Sequence, residues 1–265
     1  MLDEPEGIAE RARAFAVVLP TDSAFSHVTA CALWGLWLPQ RAETSPLHVM
    51  RDSTRARIRR TGCRGHRGLE LREVERVDGV RTVGRLDTWC DLGELVPAEV
   101  SLGDLVVVGD SLANRHDDWD LQDVFQGALE QRVRARGAQA LRAASALVRR
   151  GSRSPMESLT RLLFVHAGFP EPRLNVTAAD GAGGWLLTGD LVWDDEHVVV
   201  EYQGFVHADR RARSGDADRA SVARDHGVQV FEVFAEDLYE PHRRRRLLLR
   251  VARALRLDPD TLRLV

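Results

Sequence analysis

Lysine is absent from the chain, so all 37 of its basic side chains are arginine. That bias fits a GC-rich genome as readily as a surface selected to hold phosphates. Cysteine is scarce, and Cys31, Cys63 and Cys90 are scattered, odd in number and without metal-ligand spacing. They argue against a disulfide framework and suggest no zinc site. Long apolar runs are missing too: no window approaches the ~18 uncharged apolar residues of a membrane span. The start, Met1-Leu2-Asp3-Glu4-Pro5-Glu6, is acidic where a signal peptide would be basic. The expectation is a cytoplasmic protein with no membrane partner. Neither an internal repeat nor a low-complexity tract occurs, and a net charge of −3 does not announce a nucleic-acid binder.

What is present supports real cores, because 265 residues with 44% hydrophobic content suffice for one large or two small domains. The stretch Gly151-Ser152-Arg153-Ser154-Pro155 is the natural boundary. It divides the chain into residues 1–150 and 151–265.

The most informative segment lies in the second part. Trp185 to Val192 and Val198 to Gln203 are apolar, β-branched-rich runs, and Asp194-Asp195-Glu196-His197 between them reads as a four-residue hairpin loop. If Trp193 pairs with Val198, Asp190 falls opposite Glu201, with Cβ atoms roughly 4.5–5.5 Å apart. Even alternation would set Asp190, Glu201 and Gln203 on one face. Two acids in apolar strands need a partner or a cation, since burying an unpaired charge is expensive. A solvated sheet edge or arginine pairing would also account for them.

Around the hairpin, Ser154-Pro155-Met156-Glu157 opens a helix to about Ala167 with Gly168 as its stop, and a strand covers about Arg173 to Thr177. Downstream come a polar helix from about Asp216 to His226, a strand Val228 to Phe234 and a final helix from about Glu236 to Leu257. In this order and spacing, Glu157, Gly189-Asp190, Val200-Glu201-Tyr202-Gln203-Gly204-Phe205-Val206-His207, Asp216-Ala217-Asp218-Arg219 and Gly227-Val228-Gln229-Val230 resemble the PD-(D/E)XK nuclease superfamily. The nearest branch is that of domains related to very-short-patch-repair endonucleases, and the resemblance covers roughly residues 150 to 245.

The resemblance implies a restriction-endonuclease-like α/β fold, a three-layer core around a mixed sheet. It implies that Asp190 and Glu201 ligate Mg²⁺, with Mn²⁺ as a substitute, helped by the Tyr202 carbonyl and by Glu157 directly or through water. Gln203 stands at a motif position often held by Lys or an acid; its carbonyl can orient a water but carries no charge. His207 would protonate a leaving group or touch the scissile phosphate, and Arg219 would lie on phosphate. Read from the residues alone, Glu157 also completes a Ser-x-x-Glu capping box. His207, Asp218 and Arg219 also suit a solvated surface.

In the first part, a Ser26-capped helix ending at Gly35, a strand Leu47 to Met50, a strand Val80 to Val83 and a helix through Leu86-Asp87-Thr88-Trp89-Cys90-Asp91-Leu92 are expected. Leu102 to Val108 reads as a strand or a buried helix start. Helices are expected at about Leu121 to Arg134 and Ala138 to Arg149. The layout is similar to type IV antitoxin proteins of abortive infection, which implies a smaller α+β, winged-helix-like module. Arginines cluster at residues 51 to 67, including Arg59 and Arg60, at Arg210 and Arg211, and at Arg243 to Arg246. Such patches suit salt-dependent phosphate contacts. The expected function is a metal-dependent DNA endonuclease of nicking, repair or defence type. The alternative is a non-catalytic DNA-binding regulator of antitoxin kind with a degenerate nuclease domain.

Overall fold

The computed structural model describes residues 7–40, 42, 46–132, 136–179, 185–204 and 227–264. The chain divides into two compact units, Met1–Arg150 and Gly151–Val265, each with its own mixed sheet. No described helix is long and apolar enough to cross a membrane.

The N-terminal unit opens with α1 (Ile8–Ala16), β1 (Ser23–Phe25) and α2 (His27–Leu33), followed by β2 (Leu47–Arg51), β3 (Cys63–Arg67), β4 (Val74–Val77) and β5 (Val80–Val83). Helices α3 (Arg85–Leu92), α4 (Leu102–Ala113), α5 (Leu121–Glu130) and α6 (Ala138–Ser145) complete it. The five strands run in the order β3-β2-β1-β5-β4, with parallel pairings at β2–β3 and β1–β5. A winged-helix module would carry a small antiparallel wing, so the observed sheet is larger and mixed. The difference comes from β1, β3 and β4. β1 has three residues, all buried, and β3 is a Cys-Arg-Gly-His-Arg edge strand without apolar alternation, so neither gives a period-2 signal.

The ambiguous run Leu102 to Val108 is helical because its start is capped on both sides. Ser101 Oγ accepts from the Asp104 amide at 3.0 Å, and Asp104 Oδ2 accepts from the Ser101 amide at 2.8 Å. Helix α3 carries a buried ion cluster. The Asp91 carboxylate, fully buried, accepts from Arg72 Nε at 2.9 Å and Arg132 Nη1 at 2.6 Å, and Arg132 also reaches Asp87 at 2.7 Å.

The C-terminal unit begins with α7 (Pro155–Ala167). Its first turn is set by Ser154 Oγ accepting from the Glu157 amide at 3.2 Å and by Pro155, and Gly168 closes it at φ 95°. Four strands follow, β6 (Arg173–Ala179), β7 (Trp185–Trp193), β8 (Val198–Tyr202) and β9 (Gln229–Val233), then α8 (Ala235–Tyr239) and α9 (Pro241–Ala254). The sheet order is β6-β7-β8-β9, antiparallel at the first two pairings and parallel at the last. The single final helix expected from Glu236 onward is two helices. Pro241 lacks an amide hydrogen and forces Glu240 into an extended conformation, φ −92° and ψ 114°, before the chain restarts as α9.

Side chains of α7 and α9 pack on one face of this sheet. Phe164, Leu248 and Val251 meet Leu191, Trp193, Val198, Val200 and Val233 there, while Val192, Val199 and Val228 form a separate cluster with Val176 and Val230. Alternation along β8 therefore divides Val198, Val200 and Tyr202 from Val199 and Glu201.

Candidate functional site

The hairpin pairs as the sequence count predicts: Trp193 lies opposite Val198 and Leu191 opposite Val200, with residues 194–197 as the turn. The regular pairing ends at Leu191 and Val200, one step short of Asp190 and Glu201. Gly189 is required there by space, because a Cβ on it would stand 2.3 Å from Val199 Cγ1 and 3.1 Å from Val192 Cγ2. Gly189 and Val192 are three positions apart yet both look toward Val199, so β7 departs from even alternation at Asp190. Such irregularities re-aim a side chain.

Asp190 is re-aimed onto the end of β8. Its Oδ2 accepts from the Tyr202 amide at 2.7 Å. Burial in an apolar strand lifts this carboxyl to about 6, and the Glu157 carboxylate pushes the same way, against the Tyr202 hydrogen bond and the Arg153 charge. Asp190 thus sits within the electrostatic reach of a second acid brought by the first turn of α7.

Glu157 is buried and held from two sides. Its Oε2 accepts from the Arg153 amide at 2.7 Å and from Asn175 Nδ2 at 2.6 Å. Asn175 also donates to the Gly151 carbonyl at 2.8 Å, and its backbone is left-handed at φ 49°. Since Leu174 pairs with Leu191 and Val176 with Gly189, Asn175 lies across from Asp190. The capping role of Ser154 and the position of Glu157 beside Asp190 therefore coexist. Sequence reasoning missed Asn175 and Arg153; their signal is a polar residue inside a strand and an amide one residue ahead of the cap.

The common face expected for Asp190, Glu201 and Gln203 is not the arrangement. Asp190 reaches Tyr202 and the Glu157 side, whereas Glu201 continues the side of Val199 and stands in register with Glu232 of β9. Irregularity at Gly189 and Asp190 causes the split. Gln203 is half-buried and extends the parallel ladder, its amide donating to the Val233 carbonyl at 2.7 Å.

His207, Arg210, Arg211 and Arg219 lie outside the described residues, as do Asp216 and Asp218. Arg59 and Arg60 are exposed on the segment between β2 and β3, where Arg60 accepts a backbone hydrogen bond from Cys63. Asp190 and Glu157 bring hard carboxylate oxygens within electrostatic reach of each other, the donor type that Mg²⁺ or Mn²⁺ prefers. Comparison with protein-family models, with curated proteins and with solved structures finds no match to this chain.

Proposed function

We propose that this protein is a metal-dependent DNA endonuclease whose chemistry lies in the Gly151–Val265 unit. The observation that carries the reading is Asp190, a partly buried carboxyl in an apolar strand, aimed at the end of β8 and facing the charge of Glu157. Support for a restriction-endonuclease-like, PD-(D/E)XK core comes from the order of helix and strands and from the β6-β7-β8-β9 pairing.

Asp190 and Glu157 would hold Mg²⁺ with the Tyr202 carbonyl, whereas Glu201, which the resemblance makes a ligand, stands on the other side of β8 and would lie outside that set. When bound, the ion would make a water nucleophilic near neutral pH and neutralise charge that develops on the phosphate. Gly189 and the Tyr202 amide fix the Asp190 carboxylate, so little reorganisation is needed as the cation arrives. Gln203 would orient the attacking water through its carbonyl, and His207 would give a proton to the leaving oxygen. Arg59, Arg60, Arg210, Arg211 and Arg219 would contact phosphates.

A specific observation favours a second reading, a DNA-binding regulator without catalysis. Gln203 brings no charge, and Glu157 Oε2 already accepts two hydrogen bonds. The test is incubation of the purified chain with supercoiled plasmid, mismatched duplexes, single-stranded DNA and RNA in Mg²⁺, Mn²⁺ or EDTA, beside Asp190→Ala. Metal-dependent DNA cleavage lost in the variant supports the enzyme. Salt-sensitive DNA binding without cleavage in either metal supports the regulator.

A further inference from the structure

Outside the acidic site, the densest group of metal-ligating side chains is a trio of histidines in the N-terminal unit. His27 opens α2, His48 lies in the middle of β2 and His66 near the end of β3. Each supplies a ligand atom, and the three atoms lie within 4.8 Å of one another. Among the described residues no other such group of histidine, cysteine and acidic side chains occurs. The rings are stacked or tilted against one another, with centroids 3.9 Å apart for His27 and His66 and 5.0 Å apart for His48 and His66.

Simple packing of imidazoles leaves this arrangement poorly explained. His27 is fully buried, and its Nε2 atom has no hydrogen-bond partner among the described residues. A buried ring nitrogen without a partner is costly, and most native structures avoid it. His27 also has a left-handed backbone at φ 50°. A non-glycine residue held there inside a core is strained, and such strain marks a position whose side chain has to point one way. The ring is fixed from behind, because His27 Nδ1 stands 2.9 Å from Ser26 Oγ. That leaves Nε2 for another partner, the second-sphere arrangement common to metal-bound histidines.

The spacing suits a four-coordinate ion. Two nitrogens on one tetrahedral zinc stand about 3.3 Å apart, given Zn–N bonds of about 2.0–2.1 Å. His48 Nδ1 and His66 Nε2 are 3.0 Å apart, a hydrogen bond between the two rings that an ion taking both nitrogens would replace. Glu94 Oε2 lies 4.0 Å from His27 Nε2 and is the acid placed to complete the set. We infer that His27, His48 and His66 bind a zinc-class transition ion, Zn²⁺ or Co²⁺, with Glu94 as fourth ligand.

The surroundings keep the donors ready. Burial lowers the pKa of all three rings, with neighbouring histidines and arginines adding. Of the arginines around the trio, Arg64 pairs with Glu99, and Arg72 and Arg132 pair with Asp91. His66 is half-buried on the edge strand, which gives an ion a way in. Ligation would pin that edge strand, which buries little of its own, to β2 and α2. Spacing hid the site, since the three histidines are far apart in sequence and come from three elements.

The experiment uses the full chain, freed of metal with EDTA and dialysed, as wild type and as Asp190→Ala. Co²⁺ is titrated while its visible d–d absorption is read, and Zn²⁺ affinity is measured by competition with a chromogenic chelator. The expected result is one equivalent bound with a four-coordinate spectrum, alike in both proteins, so the acidic site is not its source. His66→Ala is the main variant because its edge position tolerates truncation. It should stay folded by circular dichroism and lose more than about 100-fold in affinity, with Ser26→Ala losing about 10–100-fold. Zn²⁺ should raise the Tm of wild type and leave that of His66→Ala unchanged. Absence of one-equivalent binding, or binding and Zn²⁺-dependent Tm shifts that persist in His66→Ala, would overturn the site.

Discussion

Asp190 shows how a single carboxyl couples stability to chemistry. With its pKa raised to about 6 against an ordinary carboxylate value near 4, the folded state binds more protons than the unfolded state between those limits. Stability contributed by the protonated form is therefore present below about pH 4 and is lost as pH rises through 6. In EDTA at pH 7.5, Asp190→Asn should be more stable than wild type by about 1–2 kcal/mol, a figure reduced for partial exposure. Urea titrations at pH 4 and pH 7.5 check this, and a gain of equal size at both would contradict the assignment. At the adjacent position, Gly189→Ala drives a methyl into Val199 Cγ1 and should cost about 1–3 kcal/mol. Combining it with Val199→Ala should cost less than the sum of the single changes. Equal additivity in denaturant melts would place the overlap elsewhere.

Elements were legible in the sequence where local chemistry decides them. Ser154, Pro155 and Gly168 bound α7, and the four polar residues 194–197 fix the register of β7 against β8, so the pairing of Trp193 with Val198 could be counted in advance. Alternation could not carry the count to side-chain direction, because the space needed by Val199 bends the strand at Gly189, a tertiary effect. Short or polar strands such as β1 and β3 were illegible for another reason: their strand state comes from pairing with β2, not from their own pattern. Asp91 stands between these cases. Its motif was visible, but its purpose emerges only when Arg72 and Arg132 converge on it from distant segments. Asp91→Ala leaves two guanidinium groups buried without their acid and should cost about 3–5 kcal/mol in thermal or chemical unfolding. A cost under about 1 kcal/mol would show that the cluster is not a fixed part of the fold.

For the whole molecule, a net charge of −3 leaves the proposed binding of nucleic acid to local arginine patches, not to global charge. Binding of a labelled duplex, followed by anisotropy, should weaken steeply with salt. Arg59→Ala with Arg60→Ala should reduce the log–log slope by about 1–2 while affecting all sequences alike. An unchanged slope would remove these exposed arginines from the interface. Everything proposed for catalysis depends on a cation held at Asp190. The decisive measurement is therefore Mn²⁺ binding to the full chain by electron paramagnetic resonance, wild type beside Asp190→Ala. The expected result is bound Mn²⁺ that Mg²⁺ displaces and that disappears in the variant. Binding identical in the two proteins, or none in wild type, would contradict it.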